Sequence, residues 1–320
     1  MQIVTLMSVD TFFSASIKLG LIISIMVIGV HISYRILNTA DLGIEGIFPL
    51  GGCICAVLIS AGVPSYVAIL ASILCGAFGG LVTALLHTKL KIPMILSGII
   101  TLTGFYSINL AILGFTSKTS LTLASLPIKP QKSIFFSLVN LFNSFGMKQA
   151  RSLDLSTFII CLIILAIVLT IIYFFFGTEI GMAIRATGDN PRMAKAQGIN
   201  TDHMIIIGLM ISNALIAFAG SLFAQNSGTV TVQNGKGMIV VGLASIIIAE
   251  AIFGRRSYKL QLVSLIVGTI IYYLLRQTAI ALNLADFLDL ASAIIITVIL
   301  AVPLLKNRIM KRQSMAKVEG

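Results

Sequence analysis

Charge is scarce in this chain and tryptophan is absent. Only 10% of its 320 residues are Asp, Glu, Lys or Arg, 58% are hydrophobic, and mean hydropathy is +1.05. These values exclude an ordinary soluble domain. Without Trp, interfacial anchoring falls to Tyr, Lys and Arg. The four cysteines (Cys53, Cys55, Cys75, Cys161) lie in apolar runs with no metal-ligand or redox spacing, and they read as small packing residues. No G-x-x-x-x-G-K-[ST] loop occurs, so this chain does not hydrolyse ATP by that route. Neither H-E-x-x-H nor G-x-S-x-G is present, and His31, His87 and His203 are scattered among span ends. No catalytic residue and no metal site are therefore expected. The opening MQIVTLMSVDTFF lacks a basic n-region and a small-residue cleavage site, so a cleavable leader is not expected.

What the chain does have is a series of apolar runs of membrane-spanning length. A hydrocarbon core of ~30 Å needs roughly 20 apolar residues per helix. The expected fold is all-α: a polytopic helical membrane protein with about nine spans, within a range of about eight to ten, in a single transmembrane domain covering 1–320. The segments are Ile17–Ile36, Ile44–Ser60, Ser65–Leu86, Met94–Gly114, Leu155–Phe176, His203–Ala224, Met238–Phe253, Leu260–Ala279 and Leu288–Leu305. A broken or re-entrant helix would look like a short span among them. The formal charge of +11 sits in the gaps between spans, which is a pattern of membrane topology and not of a nucleic-acid groove. Alternating the spans puts Lys89/Lys91, Arg185/Arg192/Lys195, Arg255/Arg256/Lys259 and the basic tail 306–320 on one side. The positive-inside rule makes that side cytoplasmic, with the N-terminus outside and the C-terminus inside a cell membrane. The segment 115–154 then falls outside, although it carries Lys118, Lys129, Lys132, Lys148 and Arg151; its SIFFSLVNLF run reads as a surface amphipathic helix.

A polar excursion between two spans is Gly177–Asn200, GTEIGMAIRATGDNPRMAKAQGIN. It carries the punctuation of a very short helix: Asn190 as cap, Pro191 in the first turn, Gly198 as the left-handed residue after the last turn. Two readings fit these features, a docking element on the membrane surface and an ordinary loop with a helical turn.

Polar residues also fall where lipid is expected. Asp41 and Glu45 lie in NTADLGIEGIFPLGG, whose glycines and Pro49 make a continuous straight helix improbable. Irregular backbone at that depth is tolerated only where it is buried in protein or lines a cavity. The segment therefore lines a translocation path or forms a re-entrant turn with its acids at headgroup level. AQNSGTVTVQNGKG, leading into MIVVGLASIIIAEAIFG, repeats the pattern in the opposite direction and makes a weak inverted repeat. Asp41, Glu45, Phe48, Thr103, Tyr106, Asn109 and Asn213 are the candidates for the path. Hydrogen-bonding side chains in spans more often join helices, and Gly76 with Gly80 reads as a close-packing pair. Glu250, near Arg255 and Arg256, reads as a snorkelling or ion-paired group.

GTEIGMAIRATGDNPRMAKAQGIN, TDHMIIIGLMISNALIAFAGSLFAQNSG and GLASIIIAEAIFG together resemble permease subunits of bacterial ABC importers of the branched-chain amino acid, ribose and nucleoside class. TADLGIEGIFPLGG and SGIITLTGFYSINLAILG are most similar to the subgroup for tryptophan/tyrosine-type uptake. The likeness covers most of Asn38–Arg256; Gln225–Gly237 departs from it by being more polar. The resemblance implies a homodimeric, non-catalytic transport core with two cytosolic ATPase subunits carrying the ATP and Mg. It also implies an extracytoplasmic solute-binding lipoprotein and a small solute, an amino acid, with an aromatic one among the options. It places Arg185, Gly188, Asp189, Asn190, Pro191, Ala194, Gly198 and Ile199 on the ATPase-coupling motif, with Arg192 and Lys195 able to pair with acids on the ATPase. The alternatives are an ion-coupled secondary transporter using the membrane carboxylates and an ABC permease for a nucleoside or vitamin.

Overall fold

The computed structural model describes residues 9–117, 125–129, 132–139, 149–254 and 258–282, and residues 290, 293 and 297. Among them are α1 (Val9–His31), which runs into a π-helical turn (Ile32–Ile36), then α2 (Ile44–Ser60), α3 (Ser65–Thr88) and α4 (Met94–Ser117). Strand β1 (Ser125–Pro127) and a 3-10 turn (Ile134–Phe136) precede α5 (Gln149–Phe175), α6 (Glu179–Asp189), α7 (Pro191–Ala196) and α8 (Thr201–Ser227). After β2 (Thr229–Thr231) and a 3-10 turn (Val232–Gly235) come α9 (Met238–Phe253) and α10 (Tyr258–Ala281).

The protein is a polytopic helical membrane protein. Among the described residues, seven helical stretches are long and apolar enough to cross a membrane: Phe13–Ile36, Ser65–Thr88, Met94–Phe115, Ser152–Phe175, Thr201–Ser227, Val232–Phe253 and Tyr258–Ala281. Each coincides with an expected span. Leu70, Leu74 and Phe78 show the lipid-facing logic, since large apolar side chains one turn apart form an exposed stripe on α3. The second expected span is not among these seven, for α2 has 17 residues and extends ~25 Å at ~1.5 Å per residue. The ninth, Leu288–Leu305, and the tail 306–320 lie outside the described residues, apart from residues 290, 293 and 297.

The chain divides into two compact units, Leu21–Gly242 and the pair Met1–Gly20 with Leu243–Gly320. In the second, Gly20 of α1 packs on the Ile270 backbone of α10, and Gly268 of α10 packs on Ser245 and Ala249 of α9. The larger unit is built around α8. Asn200 caps it by accepting from His203 N at 3.2 Å, and Gly228 (φ 72°) ends it. Small residues let α2 and α3 approach α8 closely. A Cβ on Gly51 would overlap the Ala217 carbonyl, one on Gly220 the Phe48 carbonyl, and one on Gly80 the Leu209 carbonyl. Gly76 sits against Asn213 and Ala217, so the Gly76/Gly80 pair is the close-packing surface its spacing suggested.

Contacts along α8 fix where α2 begins. Asp41 meets Asn213, Phe48 meets Gly220, and Cys55 meets Gln225, so α2 runs parallel to α8. Asn213 is 12 residues into α8, hence ~18 Å from its start in a helix ~40 Å long. α2 thus begins near mid-depth and ends level with the far end of α8. At that end Ile128 N donates to Gly228 O at 2.8 Å, and the Gln225 amide oxygen accepts from Ile134 N at 2.8 Å. β1 pairs antiparallel with β2 there, Leu126 opposite Val230, so part of 115–154 is a strand-and-turn strap that the apolar pattern did not reveal.

Replacing Gly80 by Val inserts atoms where the Leu209 carbonyl carbon is 2.9 Å from an ideal Cβ. The expected loss is about 1–3 kcal/mol or more, read as a lower thermal midpoint in detergent. Gly104→Val, where a Cβ meets nothing within 4 Å, is expected to leave the midpoint unchanged.

Candidate functional site

The break between α1 and α2 is a re-entrant turn. Asn38 adopts φ 55°, and Thr39 closes back on Ser33, whose carbonyl accepts from Thr39 N at 2.9 Å and Oγ1 at 3.0 Å. The chain then returns to Asp41, which is 1% exposed. Burying a carboxylate is expensive unless donors surround it. Asp41 Oδ1 accepts from Gly43 N at 2.8 Å, capping the start of α2, and Oδ2 accepts from Asn213 Nδ2 at 2.9 Å. Asn213 Nδ2 also donates to Leu209 O at 3.1 Å.

One turn further on, Glu45 joins the second break. Its Oε1 accepts from Gly237 N at 3.1 Å, and the carboxylate also accepts from the Ile239 backbone at the start of α9. Pro49 has no N–H for the Glu45 carbonyl four residues earlier, and Gly235 packs against that oxygen and against the Pro49 ring. The two polar breaks therefore meet. Asn109 Nδ2 donates to Gly46 O at 2.9 Å, and the buried Phe48 ring lies 5.6 Å from that of Phe223. Asp41, Glu45, Phe48, Asn109 and Asn213 thus gather around the first turns of α2. Thr103 and Tyr106 do not join them: both are on the exposed face of α4, where Thr103 bonds its own helix at Ile99 O (3.1 Å) and Ile100 O (3.0 Å). Gly235 and Gly237 complete the junction and were not singled out from sequence. The available signal was Pro49, which frees a carbonyl that some other segment must cover.

The 177–200 insert contains two helices, not one. Thr178 caps α6 through Gly181 N at 3.3 Å. Asn190 ends α6 and caps α7 through Met193 N at 3.1 Å, with Pro191 in its first turn. The α7 carbonyls are closed by Gly198 N to Lys195 O and Ile199 N to Ala194 O, each 3.0 Å, with Gly198 at φ 84°. Asp189, Arg192, Met193 and Lys195 are exposed, whereas Ala194 is 1% exposed, so its small side chain packs inward on this chain. The Arg185 guanidinium lies 5.3 Å from the Phe176 ring centre. Gly188 presses on the Ile36 carbonyl and Leu37, which places α6 directly against the turn leading to Asp41. Lys91 pairs with Asp202 at 3.4 Å, bringing the α3–α4 connection beside the start of α8.

Mid-depth breaks facing each other across a bundle suit a transporter, and similarity to known proteins decides which kind. A family model described as the permease component of branched-chain amino acid transport systems matches residues 12–303. The chain belongs to this family. The permease is 39% identical over 283 residues to a tyrosine transport system permease protein of Clostridioides difficile, covering 88% of each chain. It is 25% identical over 224 residues to a probable branched-chain amino acid transport permease of Methanocaldococcus jannaschii, covering 70% of this chain and 69% of that one. A nucleoside ABC transporter permease of Lactococcus lactis is 34% identical over 89 residues, 27% of this chain and 28% of that one. No solved structure matches. The permease is thus the membrane subunit of an ABC-type importer. The ion-coupled alternative is not favoured, and Asp41 and Glu45 are both engaged by backbone amides.

Asn213→Leu deprives a buried carboxylate of one donor and is expected to cost about 1–3 kcal/mol, read from thermal unfolding in detergent. Adding Asp41→Asn removes the charge and should recover part of that loss, a coupling that a double-mutant cycle measures.

Proposed function

We propose that the permease moves an amino acid, with an aromatic one such as tyrosine favoured, along a path bordered by the α2 break. The observation that carries the substrate class is the 39% identity to a tyrosine transport permease over 88% of both chains. On this reading two copies of the permease form the core. Two ATPase subunits holding ATP and Mg bind one face, and a solute-binding lipoprotein delivers solute to the other. The α6–α7 element is the ATPase dock. Its support is geometric: α7 is capped at both ends, displays Arg192, Met193 and Lys195, and continues into α6, whose Gly188 touches the turn before Asp41. A push on α7 then reaches mid-depth through packed backbone and without a flexible side chain.

Sidedness follows from the same end of the larger unit. Lys91 pairs with Asp202 beside the start of α8, and Arg185, Arg192 and Lys195 lie on the preceding helices. The positive-inside rule makes that end cytoplasmic. Within the larger unit α1 descends toward it, Gly29 lying at Ser212 and Leu37 at Gly208, which supports the reading that the N-terminus is outside. On this reading the strap of β1 and Ile134–Phe136 is extracytoplasmic.

The test uses the complex reconstituted in proteoliposomes with labelled tyrosine. Uptake is expected to require a catalytically competent ATPase. Uptake that survives ATPase inactivation and collapses with a protonophore would overturn the reading. Reversing the exposed charges, Arg192→Glu with Lys195→Glu, is expected to reduce ATPase co-purification about tenfold without changing the thermal midpoint of the permease.

A further inference from the structure

The polar stretch 229–237 lies within the segment Gln225–Gly237 that departs from the resemblance, and it descends into the bundle as β2 and a 3-10 turn, not as an α-helix. Its level follows from its neighbours: Val230 sits at Gly52, Gly235 at Glu45 and Pro49, and Gly242 at Val30. Glu45 lies about one turn above Asp41, so Lys236 is held ~15 Å inside the far end of α8. Lys236 is nevertheless exposed. Glu45 is near enough to attract its charge, but among the described residues the two form no direct ion pair, and the Glu45 carboxylate accepts from Gly237 and Ile239. An ammonium group at this depth faces hydrocarbon only at high cost, and non-helical backbone is tolerated there where it lines a water-filled cavity.

We propose that Lys236 lines the solute path and receives the carboxylate of the transported amino acid, with Glu45 and Gly235 as the anchors that aim it there. The anchoring is rigid. Gly237 (φ 76°) turns the chain, Glu45 closes the start of α9, and Gly235 fits against a carbonyl that Pro49 leaves open. A cation on a fixed re-entrant segment offers a carboxylate a partner without desolvating it in the open bilayer. The inference rests on the amino-acid importer reading above.

The experiment is chemical complementation at this position in the reconstituted complex, with labelled tyrosine as solute. Lys236→Cys is expected to lower the maximum uptake rate about tenfold, while Lys236→Arg stays within about threefold of the unsubstituted chain. Treating the Cys variant with 2-aminoethyl methanethiosulfonate rebuilds a lysine-like ammonium and should restore uptake. The sulfonatoethyl reagent places an anion there and should not. ATPase co-purification and basal ATP hydrolysis are expected to be unchanged, which separates loss of a solute contact from loss of folding. The untreated and reagent-treated unsubstituted chain sets the baseline. Normal uptake by Lys236→Cys, or failure of the aminoethyl reagent to restore it, overturns the inference. Absence of ATP-dependent tyrosine uptake by the unsubstituted complex overturns the underlying reading instead.

Discussion

The junction of the two breaks is the interaction on which the larger unit depends. Within a bilayer a helix that starts at mid-depth exposes amides that no water can satisfy, and a proline inside it exposes a carbonyl. The permease resolves these demands mutually. Asp41 caps α2, Glu45 of α2 caps α9, and Gly235 covers the carbonyl that Pro49 releases. Two acidic groups that look like ion-coupling sites in a hydropathy plot thereby act as helix caps at half-helix N-termini, where negative charge is favoured.

Keeping such a junction in register requires a fixed scaffold, and close backbone packing supplies it. α8 is contacted through Gly51, Gly76 and Gly80 of its neighbours and through its own Gly220. Without a hydrophobic driving force between helices in lipid, this intimate fit, together with buried polar joins such as Ser212 to Gly29 O, does the holding. The same geometry joins the surface to the interior. Gly188 lets α6 rest on the backbone of Ile36 and Leu37, four to five residues from Asp41. On the docking reading, force applied at α7 meets no compliant loop before it reaches the junction.

Much of this was legible in the chain. Apolar length predicts eight of the helices, and the Asn190–Pro191–Gly198 punctuation predicts α7, because caps act over one turn and need no tertiary information. Gly76 and Gly80 predict a tight crossing for the same local reason. Less visible was α6, whose amphipathic pattern was merged with the short helix that follows it. The strap formed by β1 and β2 was hidden as well, since three-residue strands separated by about a hundred residues leave no periodic trace. Thr103 and Tyr106 were grouped with Asn109 by polarity, yet helical rotation puts the first two on the exposed face and the third against Gly46.

Sequence by itself determined the class of the protein: a charge-poor, multi-span permease with a capped basic element between two spans. Local chemistry and composition suffice for the spans and the capped element, and the resemblance of its ordered motifs supplies the permease class. Only tertiary structure decided that the two polar breaks touch, that Glu45 closes α9, that Ala194 faces inward and that Lys236 is exposed at depth. Each of these depends on which face a residue presents at a given level of the membrane. That is settled by helix rotation and by where α2 starts along α8, neither of which a linear pattern encodes.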